Sequence, residues 1–228
     1  MPPNARVHDV ESALSTVETW LDRFHALVIG PGLGREAPVL ECVAKIIKLA
    51  REKSMPLIID ADGLFLINQH PDLVKGYPLA ILTPNVVELG RLAEALKVEV
   101  DSPKTPQLVS RALGGPTVVC KGSTDRIASP FWKGFESGVA LECDAQGSLR
   151  RMGGQGDVLA GCIAAFAAWA STAQNKAEDD KRAMLPVAAY GACLVVREAA
   201  RRAFQDKGRS MGAPDIMHQL GRTVDDLQ

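Results

Sequence analysis

The stretch Ala26-Leu27-Val28-Ile29-Gly30-Pro31-Gly32-Leu33-Gly34-Arg35 is a short apolar run that stops at a glycine. It reads as a buried strand entering a loop: consecutive apolar residues suit a strand covered on both faces, and Gly-Pro-Gly does not continue it. Directly after it, residues 36–53 carry Val39, Leu40, Val43, Ile46, Ile47, Leu49 and Ala50 at helical spacing. The unit then recurs. Leu57-Ile58-Ile59 precedes a helical stretch near 62–69, and Ala80-Ile81-Leu82 precedes helices near 86–97 and 105–113, which lead to Thr117-Val118-Val119-Cys120. Strand and helix alternating in this way predict an α/β fold, a parallel sheet with helices on its faces.

Beyond Cys120 the pattern changes. Arg126-Ile127-Ala128-Ser129 and Val139-Ala140-Leu141-Glu142 read as two antiparallel strands. Their Gly-rich connection holds Phe131, Trp132 and Phe135, suited either to stacking on a base or to an exposed hairpin tip. Three helices are expected over 157–171, 184–206 and 214–227, with the polar residues 172–181 as a mobile loop between the first two. Val10, Leu14, Val17, Trp20 and Leu21 mark one amphipathic helix before the first strand. With no internal repeat and no clear linker, residues 1–228 are read as one domain.

Composition narrows the function classes. Of 228 residues, 46% are hydrophobic and 23% charged, as in ordinary globular chains, and the formal net charge of -1 gives no footprint for nucleic acid or an anionic membrane. The longest apolar run, near 158–170, is too short to span a bilayer, and Met1-Pro2-Pro3-Asn4-Ala5-Arg6 does not resemble a signal peptide. Cys42, Cys120, Cys143, Cys162 and Cys193 form no C-x-x-C pair and suit a reducing compartment, so a cytoplasmic location is expected. His8, His25, His70 and His218 are dispersed, which argues against zinc.

In open parallel sheets ligands bind at the carboxyl ends of the strands, and each unusual motif here follows a predicted strand. Gly30 to Gly34 has Gly-x-Gly without the full dinucleotide fingerprint and by itself equally suits a tight turn. Asp60-Ala61-Asp62-Gly63 offers two carboxylates for a ligand, water or cation, with Asp62 preferred as a helix N-cap. Asn85 and Glu88, three apart in Thr83-Pro84-Asn85-Val86-Val87-Glu88-Leu89-Gly90-Arg91, suit Mg²⁺ through water or, better on spacing alone, a capping pair. Lys121-Gly122-Ser123-Thr124-Asp125 suits a phosphate, yet no Gly-x-x-x-x-Gly-Lys-Ser/Thr occurs, which excludes a P-loop NTPase. Gly153-Gly154-Gln155-Gly156-Asp157 runs straight into an Ala-rich helix; its unpartnered first N–H groups and dipole make an anion site, with Arg150 and Arg151 close by. Asp157 is then either an N-cap or a base taking a proton from an attacking hydroxyl.

These motifs, in this order, resemble the ATP-dependent NAD(P)H-hydrate dehydratases, a family within the ribokinase-like superfamily; Lys207-Gly208-Arg209-Ser210 resembles its eukaryotic members. The resemblance covers about residues 17–227. It implies a ribokinase-like three-layer fold and a repair reaction in which ATP phosphorylates the ring hydroxyl of hydrated NADH or NADPH and phosphate is then eliminated. It implies Asp157 as the base facing the substrate and the backbone of Gly153, Gly154, Gln155 and Gly156 as the anion hole. ATP would be lined by Lys121, Gly122, Ser123, Thr124 and Asp125, and by Gly147, Ser148, Leu149, Arg150, Arg151 and Met152 running into the anion hole. Gly32 and Asn85, Val86, Val87, Glu88, Leu89, Gly90 and Arg91 would contact the hydrated cofactor, with Asn85 and Glu88 near Mg²⁺.

Members of that family usually carry a further strand-helix segment before the Gly-Pro-Gly-Leu-Gly strand, where this chain has only about 25 residues. The chain is therefore read as N-terminally shortened, with exposed sheet edge and a tendency to associate with its own copies. Met152 stands where relatives often have Cys. A ribokinase-like kinase for a small molecule such as a vitamin precursor, or a non-catalytic nucleotide-binding remnant, are the alternatives.

Overall fold

The computed structural model describes residues 7–100, 103–134, 140–173 and 176–227. Its apolar runs become β1 (Leu27–Ile29), β2 (Leu57–Ile59), β3 (Ala80–Leu82) and β4 (Thr117–Cys120), parallel in that order. The connection from β4 to β5 (Asp125–Ala128) is far too short for a crossover, so β5 pairs antiparallel, as does β6 (Leu141–Cys143) beside it. The result is one mixed sheet in the order β1-β2-β3-β4-β5-β6.

The two-residue period of a strand divides its side chains between two cores. Leu57, Ile59, Ala80, Leu82 and Val118 face α1 (Val7–Leu21), α2 (Ala37–Glu52), α3 (Ala61–Gln69), α4 (Val86–Ala95) and α5 (Thr105–Leu113). Ile58, Ile81, Val119, Ile127 and Cys143 face α6 (Gln155–Thr172) and α7 (Glu178–Lys207). α8 (Ala213–Asp226) packs on the far half of α7 through Ala199, Ala200, Ala203, Met211 and Ile216. Each fully buried aliphatic side chain contributes about 1.5–3 kcal/mol, and burial on both faces explains why the strands read as unbroken apolar runs. The three-layer α/β/α reading holds.

Helix α7 departs from expectation. It begins at Glu178 rather than near 184 and runs for 30 residues with Pro186 inside. Acidic residues suit the positive end of a helix, and Asp179 pairs with Arg182 at 3.2 Å. Pro186 forfeits one helical hydrogen bond, but Leu185 and Ala189 beside it are buried against the sheet side, and that packing holds the helix through it. Asp179–Ser210 is long and apolar enough to cross a membrane, with half of its most apolar window buried inside the molecule. β5 begins one residue before its expected start; Phe135, Val139, Gln174 and Asn175, which entered the loop and strand expectations, lie outside the described residues. Phe131 and Trp132 are half-buried, with the main-chain N–H of Trp132 donating to Ser129 O at 3.1 Å, so they do not form an exposed tip.

All four parallel strands end at one edge, and β1 meets α3 backbone to backbone there. Gly30 has φ 126°, and a Cβ on it would lie 1.7 Å from the Asp60 carbonyl oxygen. Only glycine fits that approach.

Candidate functional site

Gly154 occupies the N-cap position of α6 with φ 84°, so the helix starts at Gln155 and not at Asp157. The first intrahelical bond runs from Val158 N–H to Gly154 O at 3.0 Å, which leaves the N–H groups of Gln155, Gly156 and Asp157 without helical acceptors. A Cβ on Gly154 would come 3.0 Å from the Ala213 Cβ, so the start of α8 is packed against this turn. Asp157 is exposed, and among the described residues its carboxylate takes no hydrogen bond or ion pair. The capping alternative for Asp157 therefore falls.

Beneath this turn lies an ion pair. Asp60, at the end of β2, is 2% exposed and accepts from Lys121 Nζ at 2.6 Å. A Cβ on Gly156 would stand 3.6 Å from both Asp60 Oδ2 and Lys121 Nζ, so the pair and the helix start are direct neighbours. Lys121 is thus held at the mouth of the anion site. Asp60, and not Asp62, holds the N-cap position of α3, because β2 ends at Ile59. Asp62 instead accepts from the Gly34 N–H at 3.1 Å and from Arg35 Nε at 2.7 Å, fastening the loop that carries the exposed Gly32.

Asn85 and Glu88 form a reciprocal capping box on α4. Asn85 Oδ1 accepts from the Glu88 N–H at 3.0 Å, and Glu88 Oε2 accepts from the Asn85 N–H at 2.8 Å. The box adjoins Lys121, whose N–H donates to Pro84 O at 2.8 Å in an isolated parallel bridge. Val86 and Val87 stand exposed on the first turn, and Arg91 is exposed further along. Leu89, at 5% exposure, packs its side chain in the core, so only its main chain is open to a ligand. Among the described residues no group of three or more His, Cys, Asp or Glu is placed to hold a metal ion. Glu88 Oε1 stays clear of the capping bonds, so these residues fit Mg²⁺ through water and ligand phosphates rather than by a protein cage.

The loop 121–125 is braced from α7. Asp125, 6% exposed, accepts from the Gly122 N–H at 3.0 Å and from Arg197 Nε at 2.7 Å. Arg197 Nη1 donates to Ser123 O at 2.8 Å and Ala145 O at 3.0 Å, and Nη2 donates to Gly122 O at 2.9 Å. Burial works against the Arg197 cation, but hydrogen bonding and charge from Asp125 outweigh it and raise the guanidinium pKa. The Asp125 side chain is therefore occupied in bracing the loop. Ser123 is exposed and Thr124 half-buried. Further on, Ser148 Oγ donates to Arg150 O at 2.6 Å, Leu149, Arg150 and Arg151 are exposed, and Met152 packs partly against the α7–α8 core.

The structure brings together the loops after β1 to β4 and the start of α6, as their order along the sheet requires. Sequence reasoning singled out neither Arg197 nor the Asp60–Lys121 pair. The available signals were a lone arginine within Cys193-Leu194-Val195-Val196-Arg197 and the first carboxylate after an apolar strand.

The model of a family described as NAD(P)H-hydrate dehydratase matches residues 2–222. A Bos taurus protein named ATP-dependent (S)-NAD(P)H-hydrate dehydratase is 43% identical over 226 residues, 96% of this chain and 66% of the relative. A Homo sapiens protein of the same name is 40% identical over 232 residues, 99% of this chain and 65% of the relative. The chain thus spans just under two thirds of the length of these relatives. Among solved structures, a ribokinase-like superfamily protein from Enterococcus faecalis is similar with TM-score 0.67 and 22% identity, over 95% of this chain and 68% of the other. A hydroxyethylthiazole kinase protein from Pyrococcus horikoshii is similar with TM-score 0.68 and 19% identity, over 91% and 75%. At those identities the two structures show the shared fold alone.

Proposed function

The chain belongs to the NAD(P)H-hydrate dehydratase family, and on that premise we propose that it restores hydrated NADH or NADPH, as the S epimer, to the normal cofactor at the expense of ATP. The observation that carries this reading is the start of α6. An exposed, unpaired carboxylate, Asp157, stands beside backbone N–H groups that have no helical acceptors. A base and an anion hole side by side are what phosphoryl transfer to a hydroxyl requires.

In the proposed reaction the ring hydroxyl lies against Asp157, which takes its proton as the oxygen attacks the terminal phosphorus of ATP and ADP leaves. The N–H groups of Gln155 and Gly156 receive the charge that grows on the transferred group. Lys121, 2.6 Å from Asp60 and next to Gly156, is placed to share its ammonium between that carboxylate and the phosphoryl oxygens. Phosphate then departs with the electron pair of the C–O bond, and loss of a proton from the neighbouring ring carbon restores the double bond. Glu88, with Asn85, would hold Mg²⁺ through water, and the ion when bound neutralises phosphate charge.

Product analysis tests the reading. Incubation with hydrated NADH, Mg²⁺ and ATP should give ADP, inorganic phosphate and NADH in equal amounts. Accumulation of a stable phosphorylated product would make the protein a small-molecule kinase instead.

A further inference from the structure

The proposed reaction assigns no role to Arg197, an arginine that reaches across two loops at once. Arg197 lies in the second half of α7, directly after the apolar run Ala192 to Val196, and its side chain is 13% exposed. Four of its hydrogen bonds end on the main chain or side chain of two segments far apart in sequence. Gly122 O, Ser123 O and Asp125 Oδ2 belong to the β4–β5 loop, and Ala145 O precedes the loop that enters α6. The stem of the same side chain backs Gly147, where a Cβ would meet Arg197 Cγ at 3.8 Å.

The carbonyl oxygens of Gly122, Ser123 and Ala145 are thereby turned onto one guanidinium, away from any anion, while Ser123 stays exposed and Thr124 half-buried. An anionic nucleotide is repelled by carbonyl oxygens, so drawing them onto a buried cation suits such a ligand. We propose that Arg197 is the positioning residue of the nucleotide site, a planar fork that fixes the spacing between residues 121–125 and 145–147 without itself touching the ligand. The inference rests on the reading of these loops as the ATP site. A guanidinium is suited to the task because its five donors are rigidly arranged, whereas an ammonium gathers three donors at one point. Lysine keeps the charge opposite Asp125 but cannot span both loops.

The Arg197→Lys variant separates the fork from simple charge neutralisation. Mg²⁺-ATP affinity is measured by calorimetry on folded protein, together with KM for ATP and for hydrated NADH. The expected result is an ATP Kd and KM raised about tenfold or more, with KM for hydrated NADH within about twofold. Unchanged ATP affinity in folded Arg197→Lys overturns the clamp and leaves the dehydratase reading standing. No ATP binding by the wild type removes the nucleotide reading, and the clamp falls with it. A second measurement needs no variant: amide hydrogen exchange of the wild type with and without Mg²⁺-ATP. Protection should appear in residues 121–125 and 145–147 together; protection of one segment without the other contradicts a shared clamp.

Discussion

Replacing Asp157 by Asn keeps the shape of the first turn of α6 and removes only the base. Because Gly154 holds the cap position and the Asp157 carboxylate bonds to nothing among the described residues, stability should fall by less than about 1 kcal/mol, the worth of a charge near a helix N-terminus. Turnover should drop roughly 10²–10⁴-fold, while ATP affinity stays within a few fold. Near-wild-type turnover would remove Asp157 from the chemistry. Gly30 is the opposite case, a position set by a backbone crossing. In Gly30→Ala the new methyl group would collide with the Asp60 carbonyl at 1.7 Å, and the backbone would keep φ 126°. A loss of about 3 kcal/mol or more is expected in a denaturant titration, since Asp60, Lys121 and the end of β1 cannot all stay in place. A midpoint equal to that of the wild type would mean that this crossing is looser than the structure shows.

At the scale of elements, a charge cluster on α7 reaches α8 beside their apolar contact. Glu198 accepts from Arg201 and Arg202, and Arg202 also reaches Asp226. Hydrogen bonding from Arg201, then from Arg202, holds the Glu198 carboxyl down at about 2 against partial burial. A depressed carboxyl contributes stability above its unfolded pKa and loses it as pH falls toward the folded value. Between about pH 4.5 and 2 the wild type should therefore lose more stability than Glu198→Gln, which cannot titrate there. Parallel pH profiles for the two proteins would show that the cluster contributes nothing. The same scale shows what the sequence could reveal. Strands such as Leu57–Ile59 were legible because both faces are buried, and the capping box because Asn85 and Glu88 are one helical turn apart. The choice between Asp60 and Asp62 as cap was not, since it turns on where β2 stops by two residues. Neither was the bond between Arg197 and Asp125, 72 residues apart, which exists only once α7 lies across the sheet. The start of α7 was missed because its acidic first turn reads as solvated loop until Leu185 and its neighbours are buried.

Over the whole molecule, one sheet edge gathers what the chain distributes. Asp60 after β2 and Lys121 after β4 adjoin the first turn of α6, the β1 loop is tied to Asp62 and the β3 loop to Lys121, so the exposed Asp157 carboxylate, unpartnered N–H groups, an ammonium and a braced loop pair lie along one sheet edge. At the sheet's β1 end, Leu27 and Val28 are half-buried whereas Ile58 and Ile81 are fully buried, so the inner strands are the better covered. The proposed ATP-driven repair is read out by the absorbance band of the reduced nicotinamide ring. Purified wild-type protein is mixed with hydrated NADH and Mg²⁺, with and without ATP. Recovery of the band only when ATP is present, mole for mole with ADP formed, is the expected result. No recovery from folded protein that binds ATP would contradict the account.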